Sequence, residues 1–448
     1  MVETRTAARR GFPVRLAVAA LVTAPGLYLG GADYLGLPHP AMPAPVAVLC
    51  FGAAIVGAAF MLSWAAEAAQ MDISAGMALA FLALLAVLPE YAVDFVFTLR
   101  AGHVYAAHGT CVPPGGGVNP CSMALANMTG ANRVLVGVGW PLVVLVASLA
   151  AWRAHRAGRR DSPSTHVGCV RLARPMAAEL AFLGIATAYS LTLPFRSSLT
   201  LLDAAVFVLI FVGYVWRLAT APAEPPDLAG TPAWLGDRPK PGRRRWVGAL
   251  FGFAALVILA TAEHFAQGLV DTGTSLGVDQ FLLVQWVAPL ASESPELIVA
   301  CLYAWRLKAS ESLGTLLSSK VNQWTLLVGT IPLVFALSAP TWHGLPLDEH
   351  QRLELLITAA QSLFAVSVLV NLGLTVSGAT ALLVLFAVQF TASLTLPPDT
   401  NRIVVIGMSA LYLLLAAGQF ARRRRSVARM VRDGLVTPFE RLERASTG

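Results

Sequence analysis

The chain has 448 residues, of which 56% are hydrophobic and only 13% are charged. This composition excludes an ordinary soluble domain. The formal net charge is +7, but the basic residues are grouped in the loops between apolar runs, which is a pattern of membrane topology and not of nucleic-acid binding. We therefore expect an all-α integral membrane protein.

Apolar runs recur along the whole chain, and a helix needs about 20 residues to cross a hydrocarbon core roughly 30 Å thick. We expect about twelve transmembrane helices. The first should be retained and not cleaved as a signal peptide, because its run reaches Gly30 without a clear cleavage site. In chain order the spans cover residues 13–31, 44–66, 73–99, 121–151 (with a break at Trp140-Pro141), 174–192, 199–218, 246–269, 278–305, 311–337, 353–370, 375–396 and 402–421.

The distribution of positive charge predicts the orientation. With both termini in the cytoplasm, nearly all loop arginines and lysines fall on the cytoplasmic side, including the "RRRR" run at Arg422. We therefore expect a multi-pass protein of the cell membrane. The loop "CVPPGGGVNPC" lies outside in this topology, where Cys111 and Cys121 either form a disulfide or remain two free thiols.

The two halves of the chain repeat. "LLAVLPEYAVDFVFTLRAG" in the first half and "LASESPELIVACLYAWRLKA" in the second both contain Pro-Glu followed ten residues later by Arg. An odd number of helices separates the copies, which predicts two inverted-topology repeats of about five helices, with one extra helix at each end. The expected segments are an N-terminal segment at 1–43, a first repeat at 44–218, a cytoplasmic linker at 219–245, a second repeat at 246–396, and a last helix with a basic tail at 397–448.

Polar residues of both repeats are expected at the same depth in the membrane. Counted back from Arg100 and Arg306 at 1.5 Å per residue, Glu90 and Glu296 lie about 15 Å inside the membrane, near its midplane. The same count puts Asn132 and Asn322 about 16 Å deep. A carboxylate at this depth is costly unless it faces a cavity, a partner or an ion. A proline before each acid is expected to break the helix and to free carbonyl oxygens for a hard cation.

These residues carry a family resemblance. "LAVLPEYAVD" and "LASESPELIVA" resemble the two repeat motifs of the calcium/cation antiporter superfamily, and "ANMTGAN" resembles its companion asparagine motif. The resemblance implies that Glu90 and Glu296 are the central cation ligands, that Ser292 is a hydroxyl ligand and that Asn127 is an amide ligand. Glu293 stands where the family has serine, and "SSKVN" replaces the second asparagine motif.

Other residues extend the candidate site. Asp94 follows Glu90 by one helical turn on the same face and is a second candidate carboxylate. Lys320 either pairs with Glu293 or Glu296 as a charge-balancing group, or extends towards the cytoplasm. Arg133 is expected to pair with a buried acid, Asp94 or Glu90, unless its helix begins later.

The pattern predicts a secondary active cation antiporter that moves Ca²⁺, Na⁺ or a related cation against Na⁺ or H⁺. A sodium/proton antiporter that uses Lys320, and a channel-like or non-transporting protein, are the alternatives. No enzyme motif is present, so we expect no enzymatic activity and no cofactor. The expected partners are membrane lipid and small inorganic cations, and not nucleic acid.

Overall fold

The computed structural model describes residues 13–38, 40, 42–72, 87–112, 119–157, 165–221, 228, 230–277, 280–339, 342 and 344–447. It is a bundle of helices with two small sheets. The helices, in chain order, are α1 Val14–Leu35, α2 Ala44–Ala69, α3 Leu88–His108, α4 Pro120–Val134, α5 Trp140–Arg156, α6 Ala177–Ser190, α7 Leu201–Ala219, α8 Thr231–Gly236, α9 Lys240–Ser275, α10 Gln280–Leu282, α11 Ala288–Trp305, α12 Ala309–Asn322, α13 Val328–Ser338, α14 Glu349–Leu369, α15 Val376–Thr395, α16 Pro398–Arg422, α17 Arg424–Leu435 and α18 Phe439–Thr447.

Helices that could cross a membrane occur along the whole described chain. Within the described ranges, 10 helices are long and apolar enough to cross a membrane. The two other predicted spans fall on α3 and on the run from α10 to α11, which carry the buried acids. Part of the first of these, residues 73–86, lies outside the described residues. The protein is therefore a mainly helical, multi-pass membrane protein.

Within the part of the chain that the structure describes, three helical runs contain π-helical turns. Leu135–Gly139 joins α4 to α5, Leu283–Val287 joins α10 to α11, and Gln323–Leu327 joins α12 to α13. The first turn lies directly before Trp140-Pro141, where the sequence predicted an interruption. π-helical turns often mark functional positions because they widen the helix and displace backbone groups. The first and third turns stand in corresponding helices of the two halves.

The small sheets show how the halves are arranged. Strand β2 (Cys169–Arg171) precedes α6 and pairs with β5 (Gly373–Thr375), which follows α14. Strand β3 (Ser198–Leu199) follows α6 and pairs with β4 (Leu345–Pro346), which precedes α14. Therefore α6 and α14 run in opposite directions, and each end of one meets the opposite end of the other. A short strand β1 (Thr165–His166) extends the first sheet.

We name the two ends of the bundle after two arginines. The Arg306 face contains β2 and β5, since Ser310 at the start of α12 accepts a hydrogen bond from the backbone N–H of Ala173 at 2.9 Å. The Arg100 face contains β3 and β4, because Gly102 of α3 packs against Ser338, shortly before β4. The start of α6 and the end of α14 therefore lie on the Arg306 face, and the end of α6 and the start of α14 lie on the Arg100 face.

The two largest hydrophobic cores of the described residues are formed by different helices. The larger one includes buried residues of α3 to α7 and of α11 to α16. A separate one joins α1, α2, α8 and α9, and the helices α2 and α9 pack closely along their length. The acids of α3 and α11 lie on helices that contribute to the larger core.

Candidate functional site

The predicted acids are buried at the centre of the fold. Glu90 lies in the first turn of α3, Asp94 lies one turn later, and α11 carries Glu293 and Glu296. Their exposed fractions are 1%, 3%, 0% and 7%, respectively. Glu293 interacts electrostatically with Glu296 on its own helix and with Glu90 of the other half. The structure thus brings acids of both halves together, as the depth count predicted.

Polar residues of α12 and of the following π-helical turn surround the α11 acids. Gln323 donates a hydrogen bond from Nε2 to Oε1 of Glu293. The hydroxyl group of Ser319 lies beside the carboxyl group of Glu296. Sequence reasoning missed Gln323, although it directly follows the predicted Asn322. The side chain of Ser292 lies outside the described residues, so its predicted hydroxyl role stays a prediction.

The predicted asparagines contact the α3 side of the site. Asn127 donates a hydrogen bond from Nδ2 to Oδ1 of Asp94 at 2.7 Å. Asn322 accepts one from the hydroxyl group of Tyr91 at 3.2 Å, so that the second half contacts α3 as well. Both asparagines are fully buried. Tyr91, which follows Glu90 directly, was not predicted to contribute.

Lys320 is completely buried and does not reach the membrane surface. Its Nζ donates hydrogen bonds to the backbone carbonyl oxygen of Asn132 at 3.0 Å and to Asn132 Oδ1 at 2.7 Å. It also lies 4.9 Å from the centre of the Trp324 ring. The ammonium group interacts with Glu293 through space. Of the two alternatives for Lys320, the extension towards the cytoplasm does not fit this burial, because the amide oxygens of Asn132 replace the hydration that the ammonium group loses.

Arg133 is also fully buried, but its acidic partner is neither Asp94 nor Glu90. It donates to Oε2 of Glu354 in α14, and its guanidinium group stacks 4.6 Å from the Trp286 ring centre. Gln285 donates to the same Glu354 oxygen at 2.6 Å. The expected pairing is wrong because α14 packs against α4 and brings Glu354 next to Arg133. Glu354 was missed, although an acid one residue inside the span predicted at 353–370 was a usable signal.

The expected helix break at Pro295 is absent. The helix α11 continues through this position, and its interruption is the π-helical turn Leu283–Val287 further upstream. A proline removes one backbone donor, which a tightly packed helix can tolerate. At Pro89 the helix α3 begins one residue earlier, at Leu88, and the residues before Val87 lie outside the described ranges.

Gly130 of the asparagine motif allows a close approach between the halves. A Cβ atom at this position would lie 1.6 Å from the backbone carbonyl oxygen of Gln285. The absence of a side chain therefore lets α4 pack directly on the π-helical turn before α11. This contact holds the asparagine motif of the first half against the acidic helix of the second.

The site offers oxygen ligands but no closed metal cage in this conformation. Among the described residues, no three side chains of His, Cys, Asp or Glu are placed to hold a metal ion. Carboxylate, amide and hydroxyl oxygens are the donors that Ca²⁺ and Na⁺ prefer.

Two further acids line matching cavities on either side of the site. Glu263 of α9 accepts hydrogen bonds from Tyr34 at 2.9 Å and from Arg100 at 3.1 Å, and lines a cavity of about 550 Å³. Glu67 of α2 accepts one from Tyr303, with Arg306 nearby, and lines a cavity of about 500 Å³. Each acid therefore belongs to one half and contacts the Pro-Glu helix of the other half.

The disulfide that the sequence left open is formed. Cys111 and Cys121 are bonded, whereas Cys50, Cys169 and Cys301 are free. The disulfide links the end of α3 to the start of α4 on the Arg100 face. It therefore fixes the two helices that carry Glu90 and Asn127 relative to each other.

The fold and the buried carboxylates define a membrane transport protein with a polar site between two related halves. The family model for the sodium/calcium exchanger protein matches residues 43–219 and 246–421. The chain therefore belongs to this family, within the calcium/cation antiporter superfamily, whose members are transporters and not enzymes. The resemblance in the sequence is thereby confirmed.

Solved structures show the same fold. The crystal structure of the H⁺/Ca²⁺ exchanger CAX is 38% identical, with 96% of this chain and 98% of that chain covered and a TM-score of 0.80. The structure of native YfkE is 14% identical, with 89% and 100% covered and a TM-score of 0.54. Selenium-substituted YfkE, a Ca²⁺/H⁺ antiporter, is 15% identical, with 84% and 99% covered and a TM-score of 0.54. The chain matches no curated protein.

Proposed function

We propose that this protein is a secondary active antiporter that exchanges Ca²⁺ for H⁺ through a midplane site centred on Glu90, Glu293 and Glu296. The observation that carries the proposal is the contact between Glu293 and Glu296 in a buried position, within electrostatic range of Glu90. The 38% identity to an H⁺/Ca²⁺ exchanger over nearly the whole chain supports the choice of ions.

The coupling follows from the electrostatics of neighbouring carboxylates. Like charges at close range in a medium of low dielectric constant repel strongly, so these acids need either protons or a cation. A cation that enters displaces protons, and protons that return displace the cation. Since both use the same oxygens, transport of one requires release of the other. Asp94, Asn127, Asn132 and Asn322 supply further oxygens around this centre.

The architecture that we propose has two inverted repeats, about twelve spans and cytoplasmic termini. The opposite directions of α6 and α14, with exchanged strand pairs at their ends, support the inverted relationship. The Arg306 face carries the basic tail, and it is therefore the cytoplasmic face in this proposal. Multi-pass insertion in the cell membrane follows from the same charge bias.

Sodium/proton exchange is a second candidate, because Lys320 is fully buried near Glu293. A fixed ammonium group repels a divalent ion about twice as strongly as a monovalent one. In this sodium/proton mechanism, the positive charge of Lys320 balances the negative charge of Glu293 whenever the cation is absent.

Ion flux in proteoliposomes with an internal pH dye tests the proposal. Calcium, sodium and potassium gradients are applied in turn to wild type, Glu296→Gln and a matched control, Glu349→Gln, which removes an acid from an exposed ion pair with Arg402. We expect calcium-dependent proton movement that the first variant abolishes and the control retains. Proton movement driven by sodium but not by calcium would favour the second candidate. Calcium movement that requires sodium and carries no proton signal would contradict both.

A further inference from the structure

A polar cavity of about 680 Å³ lies on the Arg306 face, away from the midplane site. It is enclosed by the end of α14, the start of α15, the end of α16, the helix α17 and strand β2. Four arginines line it: Arg171, Arg174, Arg423 and Arg429. Among the described residues that line the cavity, Asp433 supplies the one carboxylate. The cavity therefore favours an anion.

Two of these arginines, Arg423 and Arg429, are held in place by a docked helix. After Arg423 the chain turns into α17, whose Met430 is buried in the larger core. Gly434 packs so closely on α6 that a Cβ atom there would lie 2.4 Å from the carbonyl oxygen of Ala177. Arg217 of α7 donates from Nε to the carbonyl oxygen of Gly434 at 2.9 Å. This anchoring fixes α17 against the bundle and keeps Arg423 and Arg429 at the cavity.

The position of the cavity points to a lipid. It lies where α14 and α16 end and α15 begins, at the boundary between hydrocarbon and water that these spans define. On the hydrocarbon side of the cavity, α15 and α16 carry exposed apolar side chains: Val376, Leu383, Val384, Leu414 and Leu415. A lipid with its headgroup in the cavity would place its acyl chains along this surface. Arginine binds phosphate with two parallel hydrogen bonds, which gives both strength and orientation.

We infer that this cavity binds the phosphodiester headgroup of an anionic phospholipid. Basic pockets between transmembrane helices on the cytoplasmic side are suited to such headgroups. A bound lipid would join β2 of the first half to α15 of the second half, and would tie the C-terminal helices α16 and α17 to both. The inference does not depend on which cation is transported.

Native mass spectrometry of the purified full chain tests the site. Phosphatidylglycerol and phosphatidylcholine are titrated onto wild type, onto Arg423→Gln/Arg429→Gln, and onto the matched control Arg424→Gln/Arg425→Gln, whose arginines lie on the same helix but do not line the cavity. We expect wild type and control to bind phosphatidylglycerol preferentially. The cavity variant should bind it more weakly by a factor on the order of ten.

Three results would overturn the inference. These are the absence of a preference for phosphatidylglycerol, an equal loss of binding in both double variants, or displacement of the lipid by inorganic phosphate at millimolar concentration, which would indicate a site for a soluble anion. A second experiment uses only the wild-type protein, so that it gives an answer even if the variants fail to fold. Hydrogen exchange of residues 371–378 and 423–433 should slow in nanodiscs that contain phosphatidylglycerol, relative to phosphatidylcholine alone, and unchanged exchange would contradict the site.

Discussion

Lys320 of the second half is hydrogen-bonded to Asn132 of the first half, with Nζ 2.7 Å from Oδ1 and 3.0 Å from the backbone carbonyl oxygen. Each residue lies shortly before a π-helical turn in corresponding helices of the two halves. The ammonium group is thus held near Glu293 without a direct ion pair. When Lys320 is protonated, its charge reduces the negative potential of the site, and the hydrogen bond to Glu293 comes from Gln323.

Replacement of Lys320 by methionine should increase the apparent affinity for calcium. The change removes a positive charge that repels a divalent ion in a buried site, and we expect the KM for calcium to fall by about tenfold. Initial rates of calcium uptake over a concentration series measure this. Lys320→Arg, which keeps the charge, and Lys240→Met, at the exposed start of α9, should leave the KM within about twofold of wild type. An unchanged KM in Lys320→Met would place the ammonium group outside the ion path.

Replacement of Arg133 by glutamine should destabilise the protein strongly. The variant leaves the carboxylate of Glu354 buried without its guanidinium partner, which costs about 3–5 kcal/mol. Thermal unfolding in detergent should show a clear decrease in Tm. The double variant Arg133→Met/Glu354→Gln removes both charges and should recover most of the loss. If the single variant unfolds like wild type, the ion pair contributes no stability.

Replacement of Arg100 by glutamine should have a small effect on stability. The side chains of Arg100 and Glu263 are 40% and 42% exposed, and exposed ion pairs contribute about 0–1 kcal/mol. The same unfolding assay applied to this variant therefore serves as a control for Arg133→Gln. A loss as large as that of Arg133→Gln would mean that the Arg100 face depends on this pair, which links α3 to α9.

The ion pair between Asp72 and Arg243 should make stability depend on acidic pH. Arg243 donates two hydrogen bonds to Asp72, at 2.7 and 2.9 Å, and its guanidinium group holds the pKa of this carboxyl group below the ordinary value of 3.8. The unfolded chain therefore takes up this proton at a higher pH than the folded chain. The stabilisation is complete above the ordinary pKa and is lost as pH falls through the lower, folded value.

Asp72→Asn is the variant that isolates this pH dependence. We expect it to lower the free energy of unfolding by about 1–3 kcal/mol at neutral pH, where a charged hydrogen-bonded pair is lost. The difference in Tm between wild type and variant should shrink as the pH falls from 5 to about 3. A difference that stays constant over this range would show that the charge of Asp72 is not the cause.

Much of the site could be predicted because its signals are local. Pro-Glu within an apolar run, the arginine ten residues later and the repetition in the second half placed Glu90 and Glu296 at one depth, and the structure buries both. Their distance from the membrane surface depends only on the helix rise. Asn127 was assigned from a motif, and its hydrogen bond to Asp94 joins two residues that were both predicted.

The partners of the buried basic residues could not be predicted in the same way. Arg133 and Glu354 are 221 positions apart, and Lys320 and Asn132 are 188 positions apart. Such pairs depend on which helices pack together and on their rotation about their axes, and apolar periodicity is weak in helices that are hydrophobic all round. The sequence predicted only a basic tail here and not the docking of α17, because the contacts of this helix are with distant parts of the chain.

Simultaneous recording of calcium uptake and internal pH in sodium-free proteoliposomes tests the central claim most directly. We predict that an inward calcium gradient drives protons out of wild-type vesicles, and that Glu293→Gln abolishes both signals. Calcium uptake in sodium-free buffer without a change in internal pH would contradict proton coupling. Proton release that persists in Glu293→Gln would contradict the assignment of the site to the adjacent carboxylates.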